Sequence, residues 1–227
     1  MKITGGSIAV NAAGDGLDSN GNITMSGGTV TVNGPSDNGN GALDYDGTFI
    51  LTGGSLVAAG SSGMAQAPSE DSSSYSVMMS FSSTQQAGTT VTLTDKSGKV
   101  VASFTPAKQF QTIVLASPEL VKDGTYTVYT GGTVSGQSEA GLTSGGTLTG
   151  GTKVVEFTPS SSVTYLSESG VTSKPSGGMG GGMGGGRMNG GTGGQGQGQM
   201  GGQQGQQGQQ GQQGQRQGMQ GQTGGQQ

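Results

Sequence analysis

The sequence predicts an all-β protein in three parts: stacked rungs over residues 1–71, a second β-rich region over 72–170 and a disordered tail over 171–227. Three observations lead to this prediction. A motif with a glycine pair recurs three times, and apolar and polar residues alternate in short runs along both β-rich regions. Of the 52 residues from 176 onward, 41 are Gly or Gln. Alternation with period 2 is typical of strands, and a segment with so few apolar residues cannot bury a core.

The rungs are predicted from the internal repeat. The motif reads ITGGSIAVN from residue 3, MSGGTVTVN from residue 25 and LTGGSLVAA from residue 51. A second shared element lies between these copies, LDSNG from residue 17 and LDYDG from residue 43. Repeats of about 20–26 residues with short strands indicate turns of a parallel β-helix. Crossovers between parallel strands are nearly always right-handed, so we expect a right-handed parallel β-helix over residues 1–71.

Residues 72–170 lack this repeat but contain short runs rich in β-branched and aromatic residues. Such runs predict strands. The turn sequence DKSG at residues 95–98 lies between two of them and is typical of a β-hairpin. We therefore expect an antiparallel β-sandwich-like or capping region. The predicted strands cover residues 76–81, 89–94, 112–115, 126–129, 154–157 and 163–166.

The composition restricts the classes of function. Residues 1–71 hold seven acidic residues against Lys2 alone, which argues against nucleic acid as a partner because phosphates repel an acidic surface. The chain has no Cys and no His, which excludes thiolate and imidazole chemistry. No apolar run approaches the roughly 18 residues that a membrane-spanning helix needs. The chain also begins without a signal-peptide pattern.

The acidic residues of the second shared element suggest a metal site. Stacking of the rungs would place Asp18 above Asp44 and Asn20 above Asp46, with Asp15 nearby. Stacked carboxylates repel each other unless a cation lies between them, and calcium prefers six to eight oxygen ligands. We therefore predict that Asp15, Asp18, Asn20, Asp44 and Asp46 bind calcium. The alternative, that these residues only form turns at the corners, stays open.

The segments over residues 13–47 and 58–68 resemble the bacterial "carbohydrate-binding domain-containing" β-helix family. The resemblance covers residues 1–170 in outline and is most specific over residues 13–68. It implies a right-handed parallel β-helix with bound calcium, similar in fold to polysaccharide lyases, that binds cellulose or acidic sugars. It also implies an extracellular or cell-surface location.

We therefore expect a non-catalytic, calcium-dependent carbohydrate-binding protein. An acidic plant-type or cell-wall polysaccharide is favoured over cellulose, because the chain has no Trp to stack on a flat neutral glycan. Calcium could bridge the carboxylates of such a glycan to the aspartates. Tyr45 is the candidate aromatic contact to a sugar, although packing between the rungs is the favoured interpretation of this residue.

Two other functions remain open. A polysaccharide lyase or hydrolase could use the same fold, because hydrolases need two carboxylates and the aspartates supply them. Lyases need a basic residue, and Lys2 is the single one in residues 1–71. A passive surface or matrix scaffold is the third possibility.

The N-terminal end of the chain suggests one more partner. Repeat sequence begins directly after Met1, so we expect rungs to precede residue 1 in a longer protein. Open strand edges recruit other strands, and solenoids normally cover such edges with a capping repeat. We therefore expect self-association through the open N-terminal rung.

Overall fold

The computed structural model describes residues 1–175, and within this range the protein is all-β, as predicted. The predicted tail lies outside the described residues from residue 176 onward, whereas Val171 and Thr172 lie in a strand beyond its predicted start. No helix in the described range could cross a membrane. The strands are β1 Lys2–Asn11, β2 Leu17–Ser19, β3 Ile23–Asn33, β4 Leu43–Tyr45, β5 Phe49–Gly60, β6 Ser76–Gln85, β7 Val91–Asp95, β8 Val100–Phe104, β9 Phe110–Ala116, β10 Tyr126–Thr130, β11 Thr133–Val134, β12 Gln137–Glu139, β13 Leu142–Ser144, β14 Leu148–Thr149, β15 Thr152–Phe157, β16 Val163–Ser167 and β17 Gly170–Thr172.

The repeated motif forms parallel strands. Strands β1, β3 and β5 lie side by side and pair in parallel, with the register slipping at each glycine pair. The short strands β2 and β4, which carry the second shared element, pair in parallel in a separate layer. The chain therefore alternates between a long strand in one layer and a short strand in the other, and equivalent residues of successive rungs are neighbours.

The long strands β1, β3 and β5 do not form a parallel sheet of their own. Within residues 1–175 they belong to a seven-stranded mixed sheet with the order β1-β3-β5-β9-β6-β16-β17, in which β9 runs antiparallel to both β5 and β6. The structure thus shows stacked parallel rungs in a mixed sheet and does not show a parallel β-helix. One physical reason is the third copy of the short element at residues 65–69, which lacks the Leu-Asp pattern and forms no strand.

A second, antiparallel sheet packs on the first. Its order is β12-β13-β8-β7-β10-β15. The DKSG sequence forms the turn between β7 and β8, where the Gly98 N–H donates to the Asp95 carbonyl at 3.0 Å. Gly98 has a φ of 84°, a conformation that glycine adopts without strain. The predicted hairpin is therefore confirmed.

The central strands of the seven-stranded sheet are buried on both faces, whereas β1 and β17 at its edges are largely exposed. Along β5, Val57 and Ala59 pack toward the antiparallel sheet, whereas Leu56 and Ala58 pack toward the layer formed by β2 and β4. This alternation is the period-2 pattern of a strand with two cores. Because the inner faces of β2 and β4 are used for packing, their outer faces are left to carry polar side chains.

Candidate functional site

The short strands present an acidic ladder, by which we mean the side chains of Asp15, Asp18, Asp44 and Asp46. Leu17 and Leu43 are buried and anchor β2 and β4 on the core below. The register pairs Asp18 with Asp44, which confirms the predicted stacking of these two residues. The sequence alternation therefore places one carboxylate of each rung above the other on the outer face.

Asp15 has a structural partner of its own. Its Oδ1 accepts a hydrogen bond from the Gly41 backbone N–H at 2.7 Å. The next residue packs tightly against the neighbouring rung, since a Cβ on Gly16 would lie 2.3 Å from the Ala42 carbonyl oxygen. Asp15 thus joins the corner before β2 to the corner before β4, which is the turn role that the sequence left open beside calcium ligation.

Asn20 and Asp46 occupy equivalent positions on successive rungs. The Asp46 N–H donates to the Ser19 carbonyl at 3.2 Å, and the Gly47 N–H donates to the Gly21 carbonyl at 3.0 Å. These two bonds place Asn20 opposite Asp46, as predicted. Both residues are exposed. The amide that forms hydrogen bonds at this corner is instead that of Asn22, whose Oδ1 accepts from the Thr48 N–H at 2.9 Å.

Asp44 is the aspartate of the ladder whose ionisation its surroundings disfavour. Burial raises its pKa above the ordinary value of an aspartate, and the charges of Asp15, Asp18 and Asp46 raise it further. All four causes disfavour the ionised carboxylate. The four aspartates are thus close enough to repel one another, and a cation near Asp44 would relieve that repulsion.

The donor chemistry of the ladder suits calcium, because carboxylate and amide oxygens are the ligands that calcium takes. The geometry does not form a finished cage: within residues 1–175, no three acidic side chains come close enough together to hold a metal ion. One oxygen of Asp15 is also already bound to Gly41. Calcium at this ladder therefore stays a prediction, and oxygen ligands other than acidic side chains would be needed to complete its shell.

A cleft with a volume of about 500 Å³ opens beside the ladder, at the end of β4. Asp46 belongs to both the ladder and the cleft, and Tyr45 of β4 lines the cleft beside it. The cleft also contains residues that the sequence did not single out, from the segment after β5, from β16 and from the end of the described chain. Its lining consists of Tyr45, Asp46, Gly47, Gln66, Ala67, Pro68, Ser69, Glu70, Tyr165 and Lys174.

Hydrogen bonds from side chains build one wall of the cleft. The Gln66 side chain lies along the edge of β4, where its Oε1 accepts from the Tyr45 N–H at 3.0 Å and its Nε2 donates to the Tyr45 carbonyl at 3.4 Å. The Ser69 Oγ accepts from the Phe49 N–H at 2.9 Å. These groups satisfy the edge that a third short strand would have paired. The decayed third copy of the repeat thus ends the short-strand layer and leaves space for the cleft.

Tyr45 is both packed and available to the cleft. Its ring is half-buried and meets the Phe49 ring edge-on, with centroids 6.0 Å apart and an interplanar angle of 89°. Its hydroxyl donates to the Ala67 carbonyl at 2.6 Å. Burial raises the pKa of Tyr45, and a hydrogen bond with Ser69 lowers it in part. The favoured interpretation of packing is therefore supported, and the exposed part of the ring lies on the cleft wall.

Tyr165 supplies a second tyrosine to the cleft. Most of the residue is buried, with 8% exposed, but its hydroxyl is not among the fully buried polar atoms and has no hydrogen-bond partner within residues 1–175. Burial, then the charge of Glu70 and then Tyr45 raise the pKa of Tyr165 to about 12. The phenol therefore stays neutral at any physiological pH and can donate a hydrogen bond. A ligand oxygen that accepts from this hydroxyl would replace water as its hydrogen-bond partner, and the net gain of such a bond is about 0.5–1.5 kcal/mol.

Three charged groups surround these tyrosines: Asp46, Glu70 and Lys174. In the part of the chain that the structure describes, Lys174 forms no salt bridge with either acid. The cleft therefore contains both a hydrogen-bond donor of positive charge and two acceptors of negative charge.

Sequence reasoning missed Tyr165, Glu70 and Lys174 because distant parts of the chain bring them together. Strands β6 and β16 pair in parallel, and the Ser162 Oγ donates to the Glu70 carbonyl at 2.5 Å. The local sequence around Tyr165, Glu70 and Lys174 does not predict these long-range contacts. In searches for related proteins, no family model, no curated protein and no solved structure matches this chain.

Proposed function

We propose that this protein is a non-catalytic, calcium-dependent carbohydrate binder and that the cleft between Tyr45 and Tyr165 is its sugar site. The observation that carries the proposal concerns Tyr165, which lines the cleft: its hydroxyl is neutral at physiological pH and has no hydrogen-bond partner among residues 1–175. Sugar hydroxyls are good acceptors for such a donor. Tyr45 supplies part of an aromatic ring to the same lining, and amphipathic rings suit the apolar face of a sugar.

The acidic ladder suggests how an acidic glycan would bind. The ladder meets the cleft at Asp46, so a glycan that fills the cleft would extend over Asp44 and Asp18. Because the aspartates alone do not enclose a metal ion, carboxylates of the glycan would supply the missing oxygen ligands of calcium. Protein and glycan would then share one ion, and the affinity would depend on both.

The finer features that the sequence suggested are part of this proposal. We infer that the stacked rungs are turns of a right-handed parallel β-helix, as in the family that the sequence resembles. The same resemblance supports an extracellular or cell-surface location. The parallel pairing of β1, β3 and β5 supports the first inference.

Affinity electrophoresis tests the proposal. The protein is run through gels that contain neutral or acidic polysaccharides, with calcium or with a chelator. We expect retardation by acidic polysaccharide with calcium, and its loss on chelation. Tyr165→Phe keeps the ring and removes the hydroxyl, so the affinity should fall roughly fivefold to tenfold, the value of one hydrogen bond. Tyr129→Phe, a half-buried tyrosine of β10 outside the cleft, is the matched control.

Three other results of the electrophoresis would contradict the proposal. No retardation by any polysaccharide would favour the passive scaffold. Retardation that Tyr165→Phe leaves unchanged would place the sugar elsewhere on the molecule. Retardation by a glycan with protonated amines, without calcium, would show that the ladder attracts the cations of the ligand itself.

A polysaccharide lyase or hydrolase is the second candidate, because the cleft contains the two carboxylates of a hydrolase and the basic group of a lyase. Asp46 and Glu70 are two carboxylates in one cleft, and Lys174 adds the basic group that residues 1–71 lacked apart from Lys2. The lyase reaction creates an unsaturated sugar that absorbs ultraviolet light, and hydrolysis creates reducing ends. We expect neither product when the protein is incubated with the glycan that it binds. Product formation that Lys174→Gln abolishes would establish the lyase instead.

A further inference from the structure

Asn-Gly pairs recur near the corners of the rungs. Within residues 1–175 they lie at 20–21, 33–34, 38–39 and 40–41. An asparagine before glycine can lose its amide spontaneously, because the glycine nitrogen has no side chain beside it to hinder attack on the asparagine Cγ. A cyclic imide forms and ammonia leaves, and water then opens the imide to a carboxylate. The local sequence is equally reactive at all of these pairs, so the structure determines which of them reacts.

Three of the pairs are held by hydrogen bonds on both residues, so that the attacking nitrogen and the asparagine amide are each occupied. The glycine N–H groups donate to the Ala59 carbonyl from Gly34 (2.8 Å), to the Asp37 Oδ1 from Gly39 (2.9 Å) and to the Asp15 Oδ1 from Gly41 (2.7 Å). The asparagine amides bind the Ala107 N–H at Asn33 (2.7 Å), the Gly63 N–H at Asn38 (3.1 Å) and the Asp37 Oδ1 at Asn40 (2.9 Å). Formation of the imide at any of these pairs would break both bonds.

Asn20 differs from the other three asparagines. It is exposed, and its side chain has no hydrogen-bond partner among residues 1–175. The Gly21 N–H donates only to the Ser19 carbonyl, at 2.6 Å within a tight local turn. A bond to so near a residue opens when the corner rotates, without the loss of a long-range contact. A Cβ built on Gly21 meets nothing within 4 Å, so the space around the attacking nitrogen is open as well.

From this contrast we infer that Asn20 is a site of spontaneous deamidation in the folded protein. The Gly21 nitrogen forms a bond to the Asn20 Cγ and gives up its proton, and the side-chain nitrogen leaves as ammonia. Water then hydrolyses the imide at either of its two carbonyls, which gives aspartate or isoaspartate. A carboxylate replaces the amide in both products, so the chain gains a negative charge. Water is the single co-reactant that this reaction consumes.

Deamidation at this position would add a carboxylate beside the acidic ladder. Asn20 lies opposite Asp46 of the next rung, where the sequence reads LDYDG from residue 43. Conversion of Asn20 to aspartate changes LDSNG to LDSDG and gives the first rung the same acidic pattern. A carboxylate would then face Asp46 as Asp18 faces Asp44. The reaction does not depend on the proposed function; at a calcium site its product would replace a neutral ligand by a charged one.

The test follows the full chain during incubation at mildly alkaline pH, both folded and in denaturant. Mass spectrometry of proteolytic peptides, with fragmentation to locate the change, measures the rate of deamidation at each Asn-Gly pair. In the folded chain we expect Asn20 to react at least about fivefold faster than Asn33, Asn38 and Asn40, since each of these must first lose a hydrogen bond. In denaturant the rates should converge, because the protecting hydrogen bonds are absent there.

Two alanine variants test the role of the attacking nitrogen. Gly21→Ala places a methyl group beside this nitrogen and should slow the deamidation of Asn20 severalfold, with the circular dichroism spectrum unchanged because the added Cβ meets nothing within 4 Å. Gly5→Ala adds an equally unhindered Cβ at a glycine that follows no asparagine, so it is the matched control and should leave the rate unchanged. The inference fails if Asn20 of the folded chain reacts no faster than the three protected asparagines, or if Gly21→Ala leaves the rate at Asn20 unchanged.

Discussion

The contacts between neighbouring rungs differ from the contacts between the two large sheets. In the rungs, backbone lies directly on backbone: a Cβ on Gly54 would be 2.6 Å from the Gly28 carbonyl oxygen. Between the two sheets, large side chains fill the space, among them Phe110, Phe81 and Leu93. The stacked glycines of β3 and β5 therefore leave no room for a Cβ, and the core between the sheets is left with a cavity when a large side chain is removed.

The rungs also have a side-chain core, which includes Leu43, Phe49 and Leu51. Because the apolar side chains of the short strands point into this core, the aspartates beside them lie on the outer face. The antiparallel sheet uses its polar groups to hold the rungs in place. Thr29 and Thr31 of β3 donate to the Glu139 carboxylate at 3.0 Å and to the Ala140 carbonyl at 2.7 Å.

The largest expected effect lies in the sandwich core. Phe110 is 2% exposed and meets Phe81 edge-on, with ring centroids 5.8 Å apart. Phe110→Ala should reduce the free energy of unfolding by about 3–5 kcal/mol, because a large cavity remains. Chemical denaturation monitored by circular dichroism measures it. A loss below about 1 kcal/mol would mean that this core collapses around the cavity and is less rigid than the comparison requires.

The next effect isolates backbone stacking in the rungs. Gly54 and Gly88 have nearly the same φ, 88° and 84°, but a Cβ on Gly88 meets nothing within 4 Å. Alanine at either position should cost about 1–2 kcal/mol for the left-handed backbone. Gly54→Ala should cost a further amount of about 1–3 kcal/mol, because the Cβ meets the Gly28 carbonyl.

Chemical denaturation should measure the difference in free energy of unfolding between Gly54→Ala and Gly88→Ala. Equal losses would show that the rungs can separate by a few tenths of an ångström without cost. The comparison between backbone packing and side-chain packing would then no longer hold.

The repeat made the rungs predictable from sequence, and its absence limited the rest. Copies aligned at Gly-Gly and Leu-Asp were enough to place Asp18 beside Asp44, because a parallel stack keeps equivalent residues together. The strands of residues 72–170 were located within a few residues by their β-branched and aromatic runs, and the DKSG turn was recognised from its turn residues.

What sequence could not provide was the order of the strands. No local pattern shows that β9 inserts between β5 and β6, or that β16 lies beside β6. These long-range pairings place the parallel rungs in a mixed sheet and bring Tyr165 and Lys174 to a cleft that begins at Tyr45. The acidic half of the candidate site was therefore predicted, and the half with the unpartnered hydroxyl was not.

Adding calcium tests whether metal binding at the acidic ladder stabilises the folded rungs. An ion that binds only the folded state at 100 times its dissociation constant adds about 2.7 kcal/mol. We expect calcium to raise the melting temperature and chelation to lower it. The double variant Asp18→Ala with Asp44→Ala should lose most of this response, because it removes the stacked pair. A melting temperature that is independent of calcium, with and without acidic glycan, would remove the metal from the proposed function.

The smallest expected effect compares Asp44 with Asp37, an exposed aspartate in the loop between β3 and β4. Burial and neighbouring aspartates raise the pKa of Asp44, whereas the Asn40 amide and the Gly39 N–H lower the pKa of Asp37. Both hydrogen bonds to the Asp37 Oδ1 are 2.9 Å long. The two residues should therefore respond to neutralisation with opposite signs.

A raised pKa in the folded state means that ionising Asp44 costs stability, and the cost is fully present above the folded-state pKa. Asp44→Asn should therefore stabilise the calcium-free protein at about pH 7, by less than about 1 kcal/mol because water screens a partly exposed group. The gain should vanish below the ordinary pKa of an aspartate, where both states are protonated. Asp37→Asn should lower the melting temperature at about pH 7, and this loss should shrink as the pH falls through the lowered pKa. Melting curves at about pH 7 and about pH 3 measure both. If Asp44→Asn destabilised the calcium-free protein at neutral pH, the ladder would be held by attractive contacts, and calcium would not be needed to relieve it.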